Sequence, residues 1–186
     1  MRNCSMSAKI ITIAIEKGGT GKTVTASNLA YLMGDEGKKV LCVDTDPQGN
    51  LTKALSGGLS ITSDEFYGKA LYNLFDGFLY HSKTRDFIVE TQYENVDMIP
   101  CDAQTPRINK RIELLIGDAE RLKDGDPRKV SGMGDFLCYF LNQVRDDYDY
   151  ILIDTQPTRD SLLLSNAIYA ADSVSYTHLT LPTKRI

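Results

Sequence analysis

Lys17-Gly18-Gly19-Thr20-Gly21-Lys22-Thr23 places three glycines, two lysines and two hydroxyls in seven consecutive positions. Glycine backbones bend so that successive N–H groups point at phosphate oxygens, in dihedrals other residues avoid. In such a loop Lys22 reaches the β- and γ-phosphates of a nucleotide, and the Thr23 hydroxyl ligates Mg²⁺. The strict spacing G-x-x-x-x-G-K-[ST] fails here, because Glu16 stands at the first glycine position and Lys17 adds a second cation. Two carboxylates accompany the loop. Asp154 follows Tyr150-Ile151-Leu152-Ile153, where an acid can hold Mg²⁺ through water. Asp44 follows Val40-Leu41-Cys42-Val43, where an acid could orient an attacking water or accept its proton.

The elements that must carry these residues follow from hydrophobic periodicity. Ile10 to Ile15 is a β-branched run that predicts a buried strand. Lys22 to Met33 has helical spacing, with Ala26, Leu29, Ala30 and Met33 on one face and Gly34 and Gly37 closing it. Its start adds the positive end of a helix dipole to the phosphate loop. Val40 to Val43 is the next strand, which completes a βαβ unit. Further on, the pattern predicts a short helix from Leu51, a helical stretch from Phe66 to Leu79, and a strand over Val96 to Pro100. It then gives helices over Ile108–Leu122 and Phe136–Val144, a strand over Tyr150–Ile153, and a helix over Leu162–Ala171. Strands alternating with helices predict an α/β fold, a mostly parallel sheet with helices on both faces. Ligands of such sheets bind at the carboxyl ends of the strands, where the loop, Asp44 and Asp154 all lie.

The 186 residues suit one domain, with 42% hydrophobic and 25% charged residues. A net charge of -4 disfavours a surface that is basic all over, though not a local basic patch. Cys4, Cys42, Cys101 and Cys138 form no C-x-x-C pair, and His81 and His178 have no partner at ligand spacing. Cys42, inside an apolar run, reads as a small core residue. No apolar stretch approaches the ~18–20 residues that span a bilayer, and the N-terminus has no apolar signal core, so the cytoplasm is the expected compartment.

Three segments together resemble the ParA/MinD family of P-loop ATPases, and ParA-type partition proteins in particular. They are Glu16 to Thr23, Val43-Asp44-Thr45-Asp46-Pro47-Gln48-Gly49-Asn50, and Ile151-Leu152-Ile153-Asp154-Thr155. The resemblance implies a P-loop NTPase fold and a nucleotide site of Lys17, Gly18, Gly19, Thr20, Gly21, Lys22, Thr23 and Val24. It implies ATP with Mg²⁺, the metal held by Thr23 and through water by Asp154, and Asp44 positioning the hydrolytic water. Lys17 would reach across an ATP sandwich homodimer to the partner's nucleotide. A ParB-like partner, DNA bound without sequence preference, nucleoid association, and plasmid or chromosome segregation are implied too, with no membrane.

Departures from the family pattern are Val24, where a second Thr is frequent, and Gln156, at the first proline of a D-x-P-P turn. The likeness runs to about Val174. Residues 175–186 are polar and match no part of the family, which reads as a truncated frame with an unrelated tail and a fold incomplete at its C-terminus. Other outputs of the same loop are weaker readings. A MinD-like membrane-associated regulator of cell-division positioning needs a C-terminal basic amphipathic helix. An iron–sulfur reductase needs cysteines placed after strands, and a polysaccharide-export tyrosine kinase needs a tyrosine-rich tail.

Overall fold

The computed structural model describes residues 7–14, 21–158 and 161–176. Within them the sheet has six strands: β1 (Lys9–Ala14), β2 (Val40–Asp44), β3 (Val89–Glu90), β4 (Val96–Ile99), β5 (Tyr150–Asp154) and β6 (Ser173–Tyr176). Their spatial order is β3-β4-β2-β5-β1-β6. Every described pairing is parallel except β3 with β4, a two-residue antiparallel edge that the sequence pattern did not signal. The sheet is thus the mostly parallel one expected.

Side-chain alternation sends successive residues to opposite faces, and both faces are covered. Val40 and Cys42 of β2, with Leu152 of β5, pack against Ala26 and Ala30 of α1 (Lys22–Asp35) and Leu51 and Leu55 of α2 (Asn50–Leu55). Leu41, Val43, Ile151 and Ile153 point the other way. They meet α3 (Leu71–Asp76), α4 (Ile108–Glu120), α5 (Phe136–Asn142) and α6 (Leu162–Ala170). Every residue of β2 is therefore buried. By the same alternation Asp44 and Asp154 share the face covered by α1 and α2.

One expected element differs. The stretch read as helical from Phe66 to Leu79 is a 3-10 turn at Asp64–Phe66, then α3, then a second 3-10 turn over Gly77–Tyr80. Its aromatic spacing serves packing against α5: Phe75 lies 5.2 Å from Phe140 and Phe78 lies 5.0 Å from Phe136, ring to ring and edge-on. At the other side of the sheet β6 pairs with β1 from Ile11↔Ser173 to Ala14↔Tyr176, so regular pairing continues past Val174.

The end of α1 is held tightly to the strand beside it. A Cβ on Gly34 would lie 2.7 Å from both the Glu94 carbonyl oxygen and Val96 Cγ2. Gly34→Ala should therefore cost about 1–3 kcal/mol through overpacking. Gly117 of α4 has open space around its Cβ position, and Gly117→Ala should gain about 0.4–1 kcal/mol. Urea unfolding midpoints that move in opposite directions for the two variants would bear out this packing.

Candidate functional site

Strands β1 and β5 are neighbours, yet the helices that follow them diverge. α1 covers one face and α6 the other. A crevice opens where adjacent connections part in this way, at the carboxyl ends of the strands. The register puts Asp44 directly opposite Asp154, and Asp154 opposite Ile13, so three strand ends meet at one level.

Two threonines join those ends. Thr45 donates its hydroxyl to the Asp154 carbonyl at 2.7 Å, and its N–H reaches the same oxygen at 3.0 Å. Thr155 donates its hydroxyl to the Ile13 carbonyl at 2.9 Å. Both are buried, and both directly follow a strand-ending aspartate. That repeated Asp-Thr pair was the sequence signal for their role, which spacing arguments about the acids alone passed over.

Of the sequence-expected phosphate loop, Gly21, Lys22, Thr23 and Val24 are described; Lys17, Gly18, Gly19 and Thr20 lie outside the described residues. Gly21 caps α1 with φ +84°, a left-handed conformation that favours glycine. Among the described residues the first turn of α1 has no side-chain cap and no acidic residue, so its positive dipole end favours an anion. Lys22 is 6% exposed. Gly21 to Val24, with Ser27, Asp46, Gln48, Asn50, Ala54 and Pro157, line a cleft of about 630 Å³ between α1 and α2. Val24 is 62% exposed, an apolar side chain among the residues that line the cleft.

Thr23 and Asp154, the two expected metal-site residues, are together. The Thr23 hydroxyl donates to Asp154 Oδ2 at 2.7 Å. Oδ1 of the same carboxylate is buried and has no hydrogen-bond partner among the described residues. Asp154 is fully buried, and burial pushes its pKa up to about 7; Asp44 and Asp46 push the same way, while the Thr23 bond and the charge of Lys22 pull it back. A buried oxygen with no donor costs free energy unless something positive or a water meets it. The pair fits Mg²⁺, a hard cation that takes oxygen ligands and keeps several waters.

Asp44 is bound differently. Its Oδ2 accepts the Thr52 N–H at 2.8 Å and the Thr52 hydroxyl at 2.7 Å, and its Oδ1 accepts the Asp46 N–H at 3.1 Å. Burial raises its pKa to about 6, against the lowering effect of the Thr52 bonds. Cys101, just past β4, is buried beside Thr52, and burial pushes its thiol well above the usual range. Gln156, at the expected proline position, donates to Ser161 Oγ at 2.9 Å and so braces the start of α6. Thr52 and Cys101 had no signal in spacing: they come to Asp44 through the fold.

A sequence profile of the AAA domain family (AAA_31) matches residues 8–178. The chain belongs to the ParA family of P-loop ATPases. It is 36% identical over 166 residues to the sporulation initiation inhibitor protein Soj of Bacillus subtilis, covering 89% of this chain and 56% of that protein. It is 30% identical over 168 residues to the chromosome partitioning protein ParA of Caulobacter vibrioides, with 89% and 54% covered. Its fold superposes on the ATP complex of a McdA variant from Cyanothece with a TM-score of 0.71 at 26% identity, covering 91% of this chain and 56% of that one. The chain thus spans about half the length of the curated relatives it matches. Among the described residues no helix is long and apolar enough to cross a membrane.

The two acids set a pH dependence. Their folded pKa values, about 6 and about 7, exceed an unfolded value near 3.9, so between about pH 4 and pH 7 the folded chain binds more protons than the unfolded one. Their contribution to stability is therefore fully present below that window and is lost as pH rises through the folded values. The thermal midpoint of the nucleotide-free chain should fall from about pH 5 to pH 8, and less steeply in Asp154→Asn. Equal slopes for the two proteins, read by circular dichroism, would remove Asp154 as the source.

Proposed function

We propose that this chain binds ATP with Mg²⁺ and hydrolyses it, as a partition ATPase that forms an ATP-dependent homodimer for plasmid or chromosome segregation. The observation that carries the reading is the Thr23–Asp154 pair, with a buried carboxylate oxygen that has no partner among the described residues, beside the N-terminal end of α1. Thr23 would hold the cation directly and Asp154 through its water shell. The bound cation would draw charge from the β- and γ-phosphate oxygens. Gly21, Lys22 and the first amides of α1 serve the phosphates electrostatically, with Gly18, Gly19 and Thr20 completing the loop. Asp44 supplies the carboxylate that orients the water.

Lys17 is assigned to the partner's nucleotide across the sandwich. A ParB-like partner and non-specific DNA are the expected associates, in the cytoplasm and at the nucleoid. Support for the segregation role comes from the D-x-D-P-Q-G-N segment at Asp44–Asn50 and from the likeness to a chromosome partitioning protein. The McdA relative was solved as an ATP complex, which supports ATP as the nucleotide.

Lys22→Ala should weaken MgATP binding by roughly 30-fold or more, since it leaves phosphate charge unpaired in a desolvated site. Titration calorimetry at wild-type affinity would sink the phosphate-loop assignment. In Asp44→Ala, hydrolysis should drop at least about a hundredfold while MgATP still binds. Lys17→Ala should bind MgATP as a monomer and fail to dimerise. Light scattering that still shows an ATP-dependent dimer would end the sandwich assignment.

A further inference from the structure

Asp44 owes its orientation to Thr52, a residue the phosphate loop does not contain. Thr52 lies on α2, is fully buried, and gives both of its donors to one oxygen of Asp44, Oδ2. A threonine hydroxyl has one proton and two lone pairs, so the direction of that proton is a choice the surroundings must make. Here the Cys101 N–H donates to the Thr52 hydroxyl oxygen at 3.1 Å and takes one lone pair. The proton then has two acceptors within reach, Asp44 Oδ2 at 2.7 Å and Cys101 Sγ at 3.7 Å. Sulfur is the weaker acceptor, so the proton goes to the carboxylate. The Cys101 amide fixes the rotor, and the rotor fixes the carboxylate.

A carboxylate offers about four acceptor directions. Thr52 occupies both on Oδ2, and the Asp46 N–H occupies one on Oδ1. With the Cys101 thiol lying against the same carboxylate, the direction that the hydrogen bonds of the described residues leave open belongs to Oδ1. We propose that Thr52 is the positioning residue of this site, clamping Oδ2 of Asp44 so that, among the described residues, Oδ1 is the oxygen left to engage the attacking water. The inference rests on the proposed ATP hydrolysis and adds to it the group that aims its base.

The test uses the full chain and reads two quantities, MgATP affinity by calorimetry and hydrolysis by single-turnover phosphate release. Thr52→Val keeps the shape and removes the hydroxyl, and Thr52→Ala is read beside it so that a folding failure of one variant does not end the test. Both should slow hydrolysis about tenfold or more with MgATP affinity within about twofold, the size expected for one buried hydrogen bond to a charged group. Thr52→Ser, which restores the donor, should recover most of the rate. Thr84→Val removes another fully buried hydroxyl, one that donates to the Phe140 carbonyl at 2.9 Å on the far side of the sheet, and should leave hydrolysis unchanged. Wild-type rates in Thr52→Val and Thr52→Ala overturn the proposal. So does a Thr52→Ser no faster than Thr52→Ala, or a rate loss that only follows a loss of affinity. A wild-type chain that neither binds nor hydrolyses MgATP overturns instead the functional reading on which the proposal stands.

Discussion

Burying Asp154 at the end of β5 strips water from both oxygens of its carboxylate while the described residues supply a donor to only one of them. Without a cation the cheapest response is to keep a proton, which is why burial lifts this group toward neutrality. A divalent ion reverses that balance, because its charge rewards the ionised form. The stored cost of burial thus becomes selectivity for a positive charge at this one position. The rest of the site keeps that arrangement in place. Thr45 holds the Asp154 backbone, Thr155 ties β5 to β1, and α1 brings Thr23 to the carboxylate.

Asp44 presents the complementary design. Where Asp154 is left short of donors, Asp44 is nearly saturated with them, by Thr52 and by the Asp46 amide. Two acids at the same level of adjacent strands therefore have separate characters, set by their neighbours rather than by their own chemistry. One is available to a cation and the other is fixed in direction. Both depend on the face they share, and that face follows from the two-residue period of β2 and β5.

Much of this was legible in the sequence, for identifiable reasons. The strand ends could be read because the apolar runs Val40–Val43 and Tyr150–Ile153 stop abruptly on a charge. The start of α1 could be read because glycine, lysine and threonine precede a helical repeat. The order of the strands could not, since β5 enters between β1 and β2 through pairings that join residues such as Ile11 and Leu152 across most of the chain. Nor could the break in the helix read across Phe66–Leu79. There the aromatic spacing reflects contact with α5, and Gly77 passes so close to Ser82 that a Cβ would sit 2.3 Å from its hydroxyl. Cys101 stayed hidden for the same reason as the strand order, because its meaning lies in which distant segment it touches, and Thr52 because only the turn after β2 brings it back to Asp44.

The central place of β5 also says something about how the molecule comes into being. β1, α1 and β2 are made first, but β1 and β2 do not pair with each other. Until the segment Tyr150–Asp154 has been synthesised, they flank a gap that no earlier strand fills. A chain emerging from the ribosome carries the start of α1 early and the strand that brings Asp154 to it only after α2 to α5 have followed. Contacts this distant in sequence form slowly, because the loop between them must be closed first. The cleft at the start of α1 is accordingly shaped only once β5 has entered the sheet between β1 and β2.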